Sequence, residues 1–112
     1  MRYAVPTTGG RLASHFGHCE SFAMFDVDDS TGEIVGRETV PSPGHQPGFL
    51  PGWLADQGVS VIIAGGMGPR AAGLFEENRV HVVLGAPEEG PEQVVLAHLA
   101  GELTLGENVC DH

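Results

Sequence analysis

His15, His18 and Cys19 stand within five residues of one another in the stretch SHFGHCESF. Imidazole and thiolate are the donors that suit zinc, copper and iron. On a helix the spacing i, i+3, i+4 would put all three on one face. Gly17 and the preceding Gly9 and Gly10 favour a loop instead. No second paired motif accompanies them, so the pattern is not that of a closed zinc site. The residues alone leave two readings open. One is contact with a metal or an anion. The other is a strand-entry loop, with Phe16 in the core, the histidines in water and Cys19 a small buried apolar residue.

A second stretch, GGMGPRA, holds Gly65, Gly66, Gly68 and Arg70. Glycines ahead of a helix leave backbone N–H groups open, and the helix dipole favours an anion there. The Lys-Ser/Thr of a P-loop and the third spaced glycine of a dinucleotide fingerprint are both missing. A tight strand-to-helix turn, with Arg70 in an exposed salt bridge, explains the same residues. His45 stands alone in PSPGHQPG, and Cys110 and His112 close the chain in CDH. That last pair suits a soft metal, but a frayed terminus is the simpler expectation. Trp53 in FLPGWL reads as core, and His81 and His98 as structural or surface residues.

These residues must be positioned by a small scaffold. The chain has 112 residues, enough for one domain with one core, and 41% are apolar. With 17 glycines and 8 prolines it should turn often and form short helices. The net charge is −10, and the five basic residues are all arginine: Arg2, Arg11, Arg37, Arg70 and Arg79. That balance argues against nucleic acid and anionic membrane surfaces as partners. A binder of anions built on it must gather its few positive groups in one place. No secretory h-region and no run near the ~20 apolar residues of a membrane span is visible, so the expected address is cytoplasmic.

Strands are expected at 2–6, 21–29, 34–40, 59–65 and 80–86, and helices within 49–58, 69–78 and from about Pro91. An antiparallel hairpin followed by βαβ units predicts a five-stranded mixed sheet flanked by helices. If the first strand is central, with the hairpin on one side and VSVIIAG parallel on the other, the connections 7–20, 41–48 and 65–69 share one edge. Ligands of open α/β sheets sit at the carboxyl ends of strands.

Three segments together, AVPT near the start, SHFGHCESF, and VIIAGGMGPRAAGLF, resemble the dinitrogenase iron–molybdenum cofactor family over nearly the whole chain. The resemblance implies a ribonuclease H-like α/β fold without nuclease carboxylates, and transient binding or carriage of a metal–sulfur cluster. Its orange-protein branch, the nearer match for a free-standing chain of this size, implies a sulfide-bridged molybdenum–copper cluster. Many members carry several histidines between the hairpin and the first helix, where this chain has His45 alone.

The combined expectation is one α/β domain over 1–112, with a tail from about 104. Its function is read as non-enzymatic carriage of an anionic metal–sulfur cluster. The expected contacts are Arg11, His15, His18, Cys19, His45, Gly65, Gly66, Gly68 and Arg70, with His15, His18 and Cys19 as candidate metal ligands. Proteins that receive the cluster or are regulated through it are the expected macromolecular partners. A rival reading is a small phosphate- or nucleotide-binding enzyme using the Gly65–Gly68 loop; no nucleophile elbow or paired carboxylates support it. A third is a regulatory or scaffold domain without a ligand.

Overall fold

A computed structural model describes residues 1–44 and 48–106 of the chain. His45, Cys110 and His112 lie outside the described residues. The elements are β1 (Arg2–Thr8), β2 (Arg11–Leu12), a 3₁₀ turn (Phe16–His18), β3 (Ser21–Val27), β4 (Ile34–Pro41), α1 (Phe49–Asp56), β5 (Val61–Ile63), α2 (Pro69–Glu77), β6 (His81–Val83) and α3 (Pro91–Leu99). They form one mixed sheet in the order β4-β3-β1-β5-β6, with β2 paired to β1. The β4-β3-β1 pairings are antiparallel, and the β1-β5-β6 pairings are parallel.

The sheet therefore has six strands rather than the five read from the sequence. The sixth is β2. Gly9 and Gly10 both take positive φ, 62° and 80°, which a two-residue hairpin turn of the tight type demands. The turn folds Arg11 and Leu12 back onto Thr8 and Thr7. Pro6, expected to end the first strand, does not. Its carbonyl accepts the Ala13 N–H at 2.8 Å, on the β2 side. The N and O of one strand residue point the same way, so proline's missing N–H takes nothing from the ladder with β3.

Alternation along β1 sends Tyr3 and Val5 to one face and Ala4 to the other. Tyr3, Val5, Phe25, Val61 and Ile63 pack with Val94 and Val95 of α3. On the opposite face Phe22, Met24 and Ile62 pack with Leu50 and Leu54 of α1 and Phe75 of α2. Helices cover both faces, so the run Phe22–Phe25 is buried throughout, as its unbroken apolarity predicts. Trp53 packs against the α1/α2 face, its ring 5.9 Å from that of Phe22. No helix among the described residues is long and apolar enough to cross a membrane.

The strand order is the one that brings the expected connections to one edge. β1, β4, β5 and β6 end there and β3 begins there. The segments 9–20, 64–68 and 84–90 meet at this edge, as does the chain leaving β4.

Candidate functional site

The edge is built around a close backbone crossing. β2 lies on the same side of β1 as β5, so the chain leaving β2 runs into the chain leaving β5. A Cβ on Gly65 would stand 3.2 Å from the Ala13 carbonyl oxygen, the Ser14 Cα and the Ser14 carbonyl oxygen. Glycine is needed at 65 because backbone occupies that space. One residue later the Phe16 N–H donates to the Gly66 carbonyl at 2.9 Å. The Gly65 carbonyl in turn accepts the Gly85 N–H at 2.9 Å, which ties in the loop after β6.

Phe16 then drives the chain inward. It is 6% exposed and packs edge-on against Phe75, with ring centres 5.3 Å apart. The 3₁₀ turn Phe16–His18 follows, and Cys19 packs against the α1/α2 core. His15, immediately before this anchor, is exposed. It lines a groove of about 280 Å³ with Thr8, Arg11, Ser14 and Glu88, beside the apolar Leu12 and Ala13. The candidate ligands therefore divide: His15 faces the groove, and Cys19 turns to the core. Among the described residues no three His, Cys, Asp or Glu side chains are grouped to hold a metal ion. For His18 the structure gives the backbone position, as the last residue of the 3₁₀ turn.

Burial pushes the Cys19 thiol up to about 11, against a smaller opposing effect of a backbone hydrogen bond. At neutral pH the thiolate fraction is then on the order of 10⁻⁴. Since the thiolate is the metal-binding form, Cys19 is a poor first-choice ligand.

The glycine loop lies outside the groove: Gly65, Gly66, Gly68 and Arg70 do not line it. Gly68 is the residue before α2 and makes no side-chain cap, and Pro69 occupies the first helical position. The first turn carries no acidic residue, and Arg70 is exposed there. The five arginines fall into two groups. Arg2 is held by Asp26 at 3.2 Å, by Glu38 and by the Gln57 carbonyl at 2.8 Å. Arg37 pairs with Glu92 at the start of α3. Arg11, Arg70 and Arg79 are exposed and make no ion pair among the described residues. His98 is held internally, its Nδ1 2.9 Å from the Tyr3 hydroxyl, and His81 is exposed at the start of β6.

Thr8, Ser14 and Glu88 line the groove without having been singled out from the sequence. Glu88 was legible in principle. Parallel strands end on the same edge, so the loop after 80–86 had to join the loop after 59–65. The Thr8-Gly9-Gly10-Arg11 hairpin signal marked Thr8 and Arg11 as neighbours in the same way.

Fold and edge together define an α/β domain with its loops gathered at the carboxyl ends of parallel strands. The chain belongs to the dinitrogenase iron–molybdenum cofactor family, whose sequence profile matches residues 1–101. An uncharacterized protein of Methanocaldococcus jannaschii is 32% identical over 87 residues, covering 73% of this chain and 72% of that protein. The crystal structure of PH0822 superposes with a TM-score of 0.87 at 26% identity, covering 96% of both chains. The apo form of the orange protein from Desulfovibrio gigas superposes with a TM-score of 0.70 at 22% identity, covering 96% of this chain and 93% of that one.

Proposed function

We propose that this protein is a non-enzymatic carrier of an anionic metal–sulfur cluster, held at the edge where β1, β5 and β6 end. The observation that carries this reading is the division of the arginines. In a chain of net charge −10, two of the three arginines without ion pairs among the described residues stand at or beside this edge: Arg11 in the segment 9–20, and Arg70 in the first turn of α2, directly after the segment 64–68. A repulsive long-range field leaves capture of an anion to such local charge. Membership of a family described by its iron–molybdenum cofactor supports the class of cargo. The finer identity, a sulfide-bridged molybdenum–copper cluster, is carried by the resemblance to the orange-protein branch.

The mode of holding follows from the side chains. A cluster saturated by sulfide offers no vacant position to a thiol. It is gripped by N–H donors and guanidinium groups, with apolar walls excluding water. A protonated, core-facing Cys19 suits this mode. Further contacts in this reading come from His15, His18, His45 and the backbone of Gly65, Gly66 and Gly68. We place the carrier in the cytoplasm, with proteins that accept the cluster as its partners.

The test is visible absorption with elemental analysis of the protein purified anaerobically from its native host. A coloured protein containing molybdenum, copper and sulfide is expected. A colourless, metal-free product would refute the carrier reading. A coloured protein with other metals would refute the finer identity alone.

A further inference from the structure

The sheet has one long open edge. β4 spans 8 residues, and its outer side pairs with no strand among the described residues. The direction of its backbone groups follows from Pro6. The Pro6 carbonyl bonds to Ala13, away from β3, and Pro6 stands opposite Phe22. In an antiparallel ladder such a pair turns its polar groups apart, so Phe22 bonds toward Val40, its partner in β4. These directions alternate along a strand. Gly36, Glu38 and Val40 therefore bond to β3, while the N–H and C=O of Arg37 and Thr39 and the carbonyl of Pro41 point outward. The Ser42 N–H, in phase with Val40, donates to the Glu20 carbonyl at 3.0 Å, as this assignment requires. The open row has two stops. Val35 is the extra residue at the Asp26/Val27 irregularity and faces no residue of β3, and Pro41 has no N–H to give.

The side chains along this row are unevenly charged. Gly36, Glu38 and Val40 lie on the α1/α2 face, where Val40 packs. A Cβ on Gly36 would stand 3.0 Å from the Asp26 Oδ2, so the Asp26 carboxylate lies over the bare backbone of Gly36, toward the edge. The Glu38 carboxylate stands two positions further along. The side chains of Asp26 and Glu38 are 53% and 57% exposed, and both pair with the one guanidinium of Arg2. Two carboxylates on one cation leave a negative charge uncovered. On the opposite face Arg37 is already paired with Glu92. An arriving strand meets net negative charge on one face and a neutralised pair on the other.

We propose that β4 is the docking edge for an extended basic segment of a partner protein. The segment adds antiparallel to β4, exchanging backbone hydrogen bonds with Arg37 and Thr39. Two basic side chains, two positions apart in the segment, stand opposite Gly36 and Glu38 and take the carboxylates of Asp26 and Glu38. A second copy of this chain fits the edge badly. It brings together two molecules of net charge −10, and the one basic residue of its own β4 is Arg37, committed to Glu92. The proposal does not depend on the cluster reading, since it uses the backbone of β4 and two carboxylates outside the groove.

The probe is the acetylated and amidated peptide TVKVKVT, titrated at low salt into the ¹⁵N-labelled full chain. The amide signals of Arg37 and Thr39 should shift, and their hydrogens should gain protection from exchange. Thr39→Pro removes an outward N–H and leaves the ladder with β3 intact, as Pro6 does in β1. Its Tm should stay at the wild-type value while peptide affinity falls about tenfold. Asp26→Asn should weaken binding about two- to fivefold and flatten its salt dependence. The peptide TVEVEVT should leave both amides unmoved. Absence of any shift at millimolar TVKVKVT would overturn the proposal, as would equal binding by TVEVEVT or by folded Thr39→Pro. A dimer of the free protein in sedimentation, with Arg37 and Thr39 already protected, would assign the edge to a second copy and overturn it too. Success or failure of cluster reconstitution moves none of these outcomes.

Discussion

Gly65→Ala should destabilise the protein, whereas Gly73→Ala should not, although both replace one hydrogen by a methyl group. At Gly65 the new Cβ would stand 3.2 Å from three backbone atoms of Ala13 and Ser14. Those atoms belong to a segment fixed on both sides, by Ala13 N–H to Pro6 at 2.8 Å and Phe16 N–H to Gly66 at 2.9 Å. The methyl cannot be accommodated by rotating a side chain, so the crossing must open by a few tenths of an ångström. Overpacking of this kind costs about 1–3 kcal/mol. With an unfolding entropy of about 2.1 cal/mol/K per residue, the 112-residue chain loses roughly 4 °C per kcal/mol. The expected fall in Tm is about 4–13 °C. Gly73 lies inside α2, and a Cβ there meets nothing within 4 Å. Its replacement by alanine should stabilise by about 0.5–1 kcal/mol, because glycine is a poor helix residue. Scanning calorimetry of the two variants reads both signs. A Gly65→Ala protein melting at or above the wild type would refute the crossing as the reason for this glycine. The groove should respond to the same substitution, since Ala13 and Ser14 line it.

Three other outcomes follow from the same geometry. Cys19→Ser should keep its fold and still assemble the cluster on reconstitution with metals and sulfide, because a thiol raised to about 11 and turned to the core contributes little ligation; complete loss of the cluster would show thiolate ligation. Arg11→Gln and Arg70→Gln should each weaken uptake by roughly two- to fivefold, about 0.5–1 kcal/mol, and less at high salt, while Arg37→Gln should leave it unchanged because that side chain is committed to Glu92; binding curves at two ionic strengths decide this. Burial, and secondarily the charge of His81, holds His98 below its usual 6.5. Its contribution to stability is therefore present above that value and lost as pH falls through the lower folded one, so urea midpoints at pH 7.5 and 5.0 should differ more for the wild type than for His98→Asn.

The amino-acid pattern by itself determined the parallel half of this protein. β-branched apolar residues at Val61–Ile63 and at Val82 and Val83, each stretch followed by glycine, proline and a helix, specify βαβ units, and the covered run Phe22–Phe25 specifies an interior strand. The motifs SHFGHCESF and VIIAGGMGPRAAGLF determined the family, because those residue types at that separation are a specific conjunction. Which candidates share a surface was decided by the tertiary structure. Neighbours in sequence point apart when one of them is an anchor. Phe16 enters the core between Phe22 and Phe75, and that single insertion leaves His15 at the groove and turns Cys19 away from it. Glu88 joined the groove only when β6 had been laid beside β5. Gly65 reads in the sequence as part of a ligand loop, and packing gives it a second reason, the backbone of Ala13 and Ser14 lying over it. Periodicity and composition are local and survive in the sequence. Contacts between residues fifty positions apart depend on how strands are ordered, and that order is set by burying both faces of one sheet at once.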